Sequence, residues 1–463
     1  MLRIKGFPGS LLFVLCLHLL LSSTPILAQL RVFSPAVQDS IRLTGLLQKY
    51  QEQHKEELSK LPSRNRKDLV EVYQQRWKNI QEKFDKKEIY TDAAAQEYLN
   101  RVVKVIRQGN PTVAATDISC YFSRSYIPNA ESIGEGIILF NMGLFQRLDN
   151  EDQVAFVLCH EMAHILLHHA ENSIQQYVAA INSEEVQTAL HRIKGSEYRK
   201  HQQLEKLMKG LSFDSRRHSR DHEAEADSMA VELMRNTRFA LSGAVSTLAL
   251  LDTIDTDTLN MSQCLPKLFN APEYPFRKKW IAQDEGLLGG HAKIDEGEMA
   301  DSLKTHPDCK KRILLLSGLM KAWSQPAAAT FVVDSAAFTS LRNAFHYEAI
   351  EYAYLSGNYT ESLFLTLELL QTNPNDEYLV AQVGRLLNGL YNAQKSHTLS
   401  KITDLPAPGY PPNYNLLLQF IQNLYLEDLA AISHYYLKQY RPQMDRYLPF
   451  RNAYEESEKL LKN

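Results

Sequence analysis

Cysteine is scarce in this chain, five in 463 residues, which is too few for a disulfide scaffold. A surplus of positive charge is missing as well. Lys and Arg number 51 against 54 Asp and Glu, a formal charge of −3. A phosphate backbone would therefore find no strong attraction, which sets nucleic-acid binding aside. Beyond residue 28 no stretch reaches about eighteen apolar residues, so no transmembrane helix is expected in the mature chain. The 44% hydrophobic and 23% charged content is ordinary for a globular protein and argues against wholesale disorder or a collagen-like repeat. At roughly 150 residues per domain, the length allows about three domains with real cores.

The first 28 residues have the grammar of a secretory signal. Arg3 and Lys5 precede an apolar run from Leu11 to Leu21, and Ser22 to Pro25 lead to a small residue at Ala28. The apolar run is too short to span a bilayer, so cleavage after Ala28 and a periplasmic or secreted location are expected. Cys120, Cys159, Cys264 and Cys309 then remain. In an oxidising compartment they could form two bridges in three alternative pairings, among which the spacing does not choose.

Four segments follow from the pattern: a signal at 1–28, a charged helical extension at 29–90, a central domain at 91–325 and a second helical domain at 335–463. In the extension, Leu43, Leu46 and Leu47, then Leu69, Val72, Tyr73 and Trp77, recur at helical spacing. That suits a solvated helical hairpin leaning on a neighbour. Ile118–Tyr126 alternates, and Ile137–Phe140, after Gly134-Glu135-Gly136, reads as a strand. A helix capped by Asp149 or Asn150 runs to Leu166, and further helices are expected over Ser173–Met208, Ser219–Arg235 and Ala240–Thr253. Residues 255–304 read as long loops. In the C-terminal third, Gly357, Tyr359, Ser362 and Pro374 fall where a 34-residue tetratricopeptide repeat places its Gly, Tyr, Ala and Pro, with Gly384 at the small-residue position one repeat on. An unrelated helical-hairpin domain would also fit, since such arrays normally stack about three units.

The chemistry concentrates at His160-Glu161-Met162-Ala163-His164, an H-E-x-x-H sequence inside an apolar-periodic helix. Positions i and i+4 put both imidazoles on one face, where they can reach a single Zn²⁺. Glu161, about 100° away around the helix, can take a proton from water at the metal without being a ligand. His168 and His169 read as polar neighbours rather than ligands, because a catalytic zinc wants three protein ligands. In Glu223-Ala224-Glu225-Ala226-Asp227, Glu223 and Asp227 share a helical face. Glu223 is the candidate third ligand, and Asp227 is the candidate to orient a ligand histidine. A chance motif is the competing reading, expected in about a few per cent of such chains.

These motifs, with Arg220 before the second, Asn129-Ala130, Gly143-Leu144 and Asn150-Glu151-Asp152, resemble the minigluzincin zinc metallopeptidases, which include HtpX and the CAAX prenyl proteases. The resemblance covers roughly Tyr98 to Ile313. With a signal and a repeat-like C-terminal domain, it is nearest the periplasmic BepA-type proteases. It implies a mainly α (α+β) fold, with a metallopeptidase core holding a small β-sheet followed by a tetratricopeptide-like helical domain. It also implies one Zn²⁺ per chain, held by His160, His164 and Glu223, with Glu161 as base. Thr305-His306-Pro307 resembles a segment whose histidine can cap the zinc. His306 is thus expected to be a switch, a transition-state hydrogen-bond donor or a loop residue.

Ile137, Ile138, Leu139 and Phe140 could form an edge strand that pairs with an extended substrate, or an ordinary core strand. The expected function is an endopeptidase acting on unfolded or misassembled envelope or secreted proteins. The helical domain would recruit clients and could contact envelope assembly machinery. A chaperone or scaffold with little or tightly gated proteolysis is the alternative. A structural zinc site is disfavoured, since two His and one Glu leave an open position.

Overall fold

The computed structural model describes residues 40–195, 220–254, 259–282, 308–321, 323, 328–407 and 409–462. The signal-like segment and His306 lie outside the described residues. The fold is mainly helical with one small sheet. Among the described residues no helix is long and apolar enough to cross a membrane.

The extension forms two helices, α1 (Ser40–Lys60) and α2 (Arg66–Asp85). Helix α3 (Ala93–Gly109) starts at Asp92, whose side chain accepts from the backbone N–H of Ala95, a helix-initiating cap. After the short α4 (Pro111–Ala115) come β1 (Ser119–Ser123), β2 (Ala130–Gly134) and β3 (Ile137–Asn141). Their spatial order is β1-β3-β2, with β3 parallel to β1 and antiparallel to β2. The turn joining β2 to β3 has positive φ at Gly134, Glu135 and Gly136, a left-handed path that two of its three residues enter without a Cβ penalty.

Strand β3 is buried along its whole length, and its side chains alternate between two cores. Ile138 and Phe140 face a large core shared with α3 and the helices that follow. Ile137 and Leu139, with Tyr121, face Tyr50, Trp77, Ile80 and Phe84 of the N-terminal helices. The charged hairpin thus covers the outer face of the sheet with a narrow apolar stripe, while its remaining faces carry the charge.

Downstream lie α5 (Met142–Phe145), α6 (Glu151–Leu166), α7 (His169–Ile181) and α8 (Glu184–Gly195). Residues 220–235 form helix α9, followed by α10 (Ser242–Thr253), α11 (Met261–Leu268) and α12 (Cys309–Met320). Helix α11, capped by Asn260, stands within the stretch the sequence suggests is loop. Its short length and internal Pro266 hide the periodicity. All four described cysteines are free and buried.

The C-terminal third contains α13 (Ser335–Leu355), α14 (Tyr359–Thr372), α15 (Glu377–Lys395), α16 (Pro412–Asn423), α17 (Leu426–Met444) and α18 (Leu448–Leu460). Gly384 lies where α15 meets α17: a Cβ there would come within 2.6 Å of Leu437. Helix α13 belongs to two layers at once. Its Phe338 and Phe345 enter the large core, where Phe345 stacks edge-on to Phe122 with ring centroids 4.8 Å apart. The chain reaching α13 is tied down by Glu151, fully buried at the first turn of α6. The Glu151 carboxylate accepts backbone N–H groups from Val332 and Val333 at 2.6 Å and from Asp334 at 2.8 Å.

Candidate metal centre

Helix α6 begins at Asn150, whose side chain accepts from the backbone N–H of Gln153, and it is buried for most of its length. One face presents His160 and His164, with Nε2 atoms 3.0 Å apart. Helix α9 brings in Glu223, whose carboxylate oxygens lie 3.4 Å from His160 Nε2 and 3.4 Å from His164 Nε2. A tetrahedral centre with bonds of about 2.0–2.1 Å separates its ligand atoms by about 3.3 Å. Two imidazole nitrogens and one carboxylate at these spacings therefore suit zinc, and they leave one coordination position without a protein donor.

The surroundings orient this triangle. His160 Nδ1 lies 2.9 Å from Asp227 Oδ1, one turn past Glu223 on α9. Asp227 is fully buried and receives Arg312 of α12, from Nε at 2.6 Å and from Nη2 at 2.8 Å. Arg312 Nη1 stands 3.1 Å from Glu223. Burial alone would raise both carboxyls. For Glu223, hydrogen bonds with His160 and His164 outweigh it, helped by the charge of Arg312, and hold the group well below its usual range. For Asp227, hydrogen bonds with Arg312 and His160 likewise outweigh burial and lower its pKa. Burial also disfavours a charged His160, but Asp227 and Glu223 prevail and raise the ring to about 10. A metal arriving there must displace that proton.

Next to His160 on α6 and lining the same cleft, Glu161 accepts the backbone N–H of Ser132 at 2.9 Å. Burial raises its pKa, while His160 and His164 pull it back. A cleft of about 550 Å³ opens over these groups, walled by Ser132, Glu135, Leu144, Phe156 and Leu251 among others. Another cavity, of about 720 Å³, lies between α11, α13 and α14 and holds none of these residues.

The candidates His160, Glu161, His164, Glu223 and Asp227 thus come together, while the strand candidates do not behave as an edge. Ile137, Ile138, Leu139 and Phe140 pair with β1 on one side and β2 on the other, so β3 has no free backbone for a substrate. The edge facing α6 is β2, and its Ser132 N–H points off the sheet to Glu161. The sequence carries little sign of β2, because Ala130-Glu131-Ser132-Ile133-Gly134 has almost no apolar alternation. No local pattern points to Arg312 or Glu225, whereas His169, one turn past the motif, is expected as a polar residue or a support of the ligands and is found beside one. His169 lies 2.9 Å from His164 and 3.2 Å from Glu225.

A second His/Glu cluster, His54, Glu57 and Glu135, gathers where α1 meets the β2–β3 turn. Arg76 pairs with Glu57 and lies 3.5 Å from Glu135, so a guanidinium already supplies the positive charge. Burial still pushes Glu135 up to about 7 against the pull of Arg76.

No curated protein matches the chain. The family model of peptidase family M48 matches residues 88–320. That segment contains the sheet, the helices bearing His160, His164 and Glu223, and Arg312.

Proposed function

Since the chain belongs to peptidase family M48 and is accordingly a zinc metallopeptidase, we propose that it is an endopeptidase for unfolded or misassembled secreted or envelope proteins. The ligands in this reading are His160, His164 and Glu223, and the base is Glu161. The observation that carries it is the triangle of 3.0, 3.4 and 3.4 Å beside a buried carboxylate that is no part of the triangle. Zinc bound there supplies a Lewis acid that polarises the scissile carbonyl and makes water acidic enough to attack near neutral pH.

The chain's own groups do the rest. Glu161, held by Ser132 and kept out of bulk water, accepts the proton of the attacking water and hands it to the departing amine. Asp227, clamped by Arg312, keeps the Nδ1 side of His160 occupied so that its Nε2 faces the metal. The edge of β2 away from β3 offers main-chain groups other than the Ser132 N–H to an extended peptide, a mode of recognition largely indifferent to side chains. Leu144, Phe156 and Leu251 give the cleft an apolar wall, which favours an apolar side chain next to the cut bond.

The remaining parts of the reading concern context. The segment up to Ala28 is a secretory signal, which puts the enzyme in the periplasm or outside the cell. The module at 335–463, tetratricopeptide-like in its spacing, recruits clients for the core at 91–325. His306 gates the site by capping the zinc.

Glu161→Gln tests the chemistry. The variant should fold, keep its zinc and lose cleavage of an unstructured protein such as casein by at least about 10²-fold, the usual worth of a general base. Cleavage at the wild-type rate would place the base elsewhere. The alternative, a scaffold with little proteolysis, predicts that wild type and Glu161→Gln hold clients equally and that neither cuts them.

A further inference from the structure

We propose that His169 and Glu225 form a hydrogen-bond relay that fixes the tautomer of His164 and thereby sets how tightly the metal is held. The relay rests on the reading of His160, His164 and Glu223 as ligands. An imidazole ligating through Nε2 must carry its proton on Nδ1, and that proton needs an acceptor. His160 has one in the carboxylate of Asp227, 2.9 Å away. His164 has no carboxylate in that position: its Nδ1 lies 2.9 Å from Nδ1 of another histidine, His169.

Two facing imidazole nitrogens can share only one proton. With His164 Nδ1 donating, His169 Nδ1 must be bare, so the proton of His169 sits on Nε2. That nitrogen lies 3.2 Å from Glu225 Oε2, and an ionised carboxylate can only accept. The direction of every hydrogen bond is therefore set from Glu225 inward, and it leaves the Nε2 lone pair of His164 facing His160 and Glu223. Were His164 in the other tautomer, an N–H would point into the ligand triangle and repel a cation.

Local structure holds the relay in place. His168 has φ +53°, which breaks α6 and turns the chain so that His169 swings back under His164. The His169 ring is buried and stacks on His222 of α9, with centroids 4.2 Å apart and planes 9° from parallel. Glu225 is two residues past Glu223, so one helix supplies both a proposed ligand and the outer end of the relay. The two histidines are thus backed unequally. Asp227 is sealed from water, whereas the Glu225 side chain is 62% exposed, so the support of His164 can be altered from the surface without disturbing the core.

The full-length protein, stripped of metal by chelator, can be titrated with zinc against a chromophoric competitor and with Co²⁺ for its visible absorption. His169→Phe keeps a ring on His222 and removes both nitrogens. It should lower zinc affinity by about 10–100-fold, the usual worth of a hydrogen-bond partner to a ligand, and shift the cobalt bands. His169→Asn places an oxygen near the Nδ1 position and should restore most of the affinity. Glu225→Ala, a surface change safe for folding, should weaken binding in the wild-type background and have no effect in His169→Phe.

Wild-type affinity and spectrum in His169→Phe or in Glu225→Ala, or no recovery in His169→Asn, would overturn the relay. His164→Ala separates the two levels. If it binds zinc like wild type, the ligand reading falls and the relay with it. If it loses zinc while His169→Phe does not, only the relay falls.

Discussion

Arg312 donates from Nε and Nη2 to both oxygens of Asp227, and its third nitrogen stands 3.1 Å from Glu223. One guanidinium therefore balances two carboxylates in a place with little water. Arg312→Met would leave Asp227 buried and unpaired, a situation that typically costs about 3–5 kcal/mol. We expect urea unfolding to report a loss of that order in the metal-free protein. Arg312→Lys should recover only part of it, because an ammonium cannot match the two-pronged fit. The contrast between Arg312 and His160 shows what sequence makes legible. His160, Glu161 and His164 are set by spacing within one helix, so their shared face follows from 3.6 residues per turn. Arg312 reaches Asp227 across a sequence separation of 85, and no local pattern announces a contact of that range.

Among the elements, the strands teach the same lesson with the opposite sign. Apolar Ile137–Phe140 is readily recognised as a strand, but its continuous apolar run already indicates burial on both faces. A strand so buried sits in the centre of a sheet, and the edge falls to the less apolar β2. Strand order depends on pairings that no single segment contains. The helical pair α15 and α17 is more legible, since a glycine at a helix crossing marks close approach. Gly384→Val would push into Leu437, whose nearest atom lies 2.6 Å from the position of a Cβ. Overpacking of this kind costs roughly 1–3 kcal/mol, and a lowered melting temperature should reveal it. Adding Leu437→Ala should return part of the loss, since it clears the space the valine needs.

At the scale of the whole molecule, the length allows about three domains, and the hydrophobic cores run across the boundaries expected between them. The N-terminal helices close one face of the sheet through Tyr50, Trp77 and Phe84. Phe338 and Phe345 of α13 complete the core on the other face. Neither end can leave without uncovering apolar surface that the rest cannot hide. Calorimetry should therefore find the central segment and α13 melting in one cooperative transition. A chain ending at residue 334 should be insoluble or molten, and two well-separated transitions would contradict this. Glu151 gives the arrangement a mechanical side. It grips three consecutive amides of the strap leading to α13, and it stands at the head of the rod that bears His160 and His164. His164 is about 20 Å down that rod, and a helix is stiff along its axis. A client tugging on the C-terminal helices would load the strap, and the tension would arrive at the ligand triangle as an axial pull.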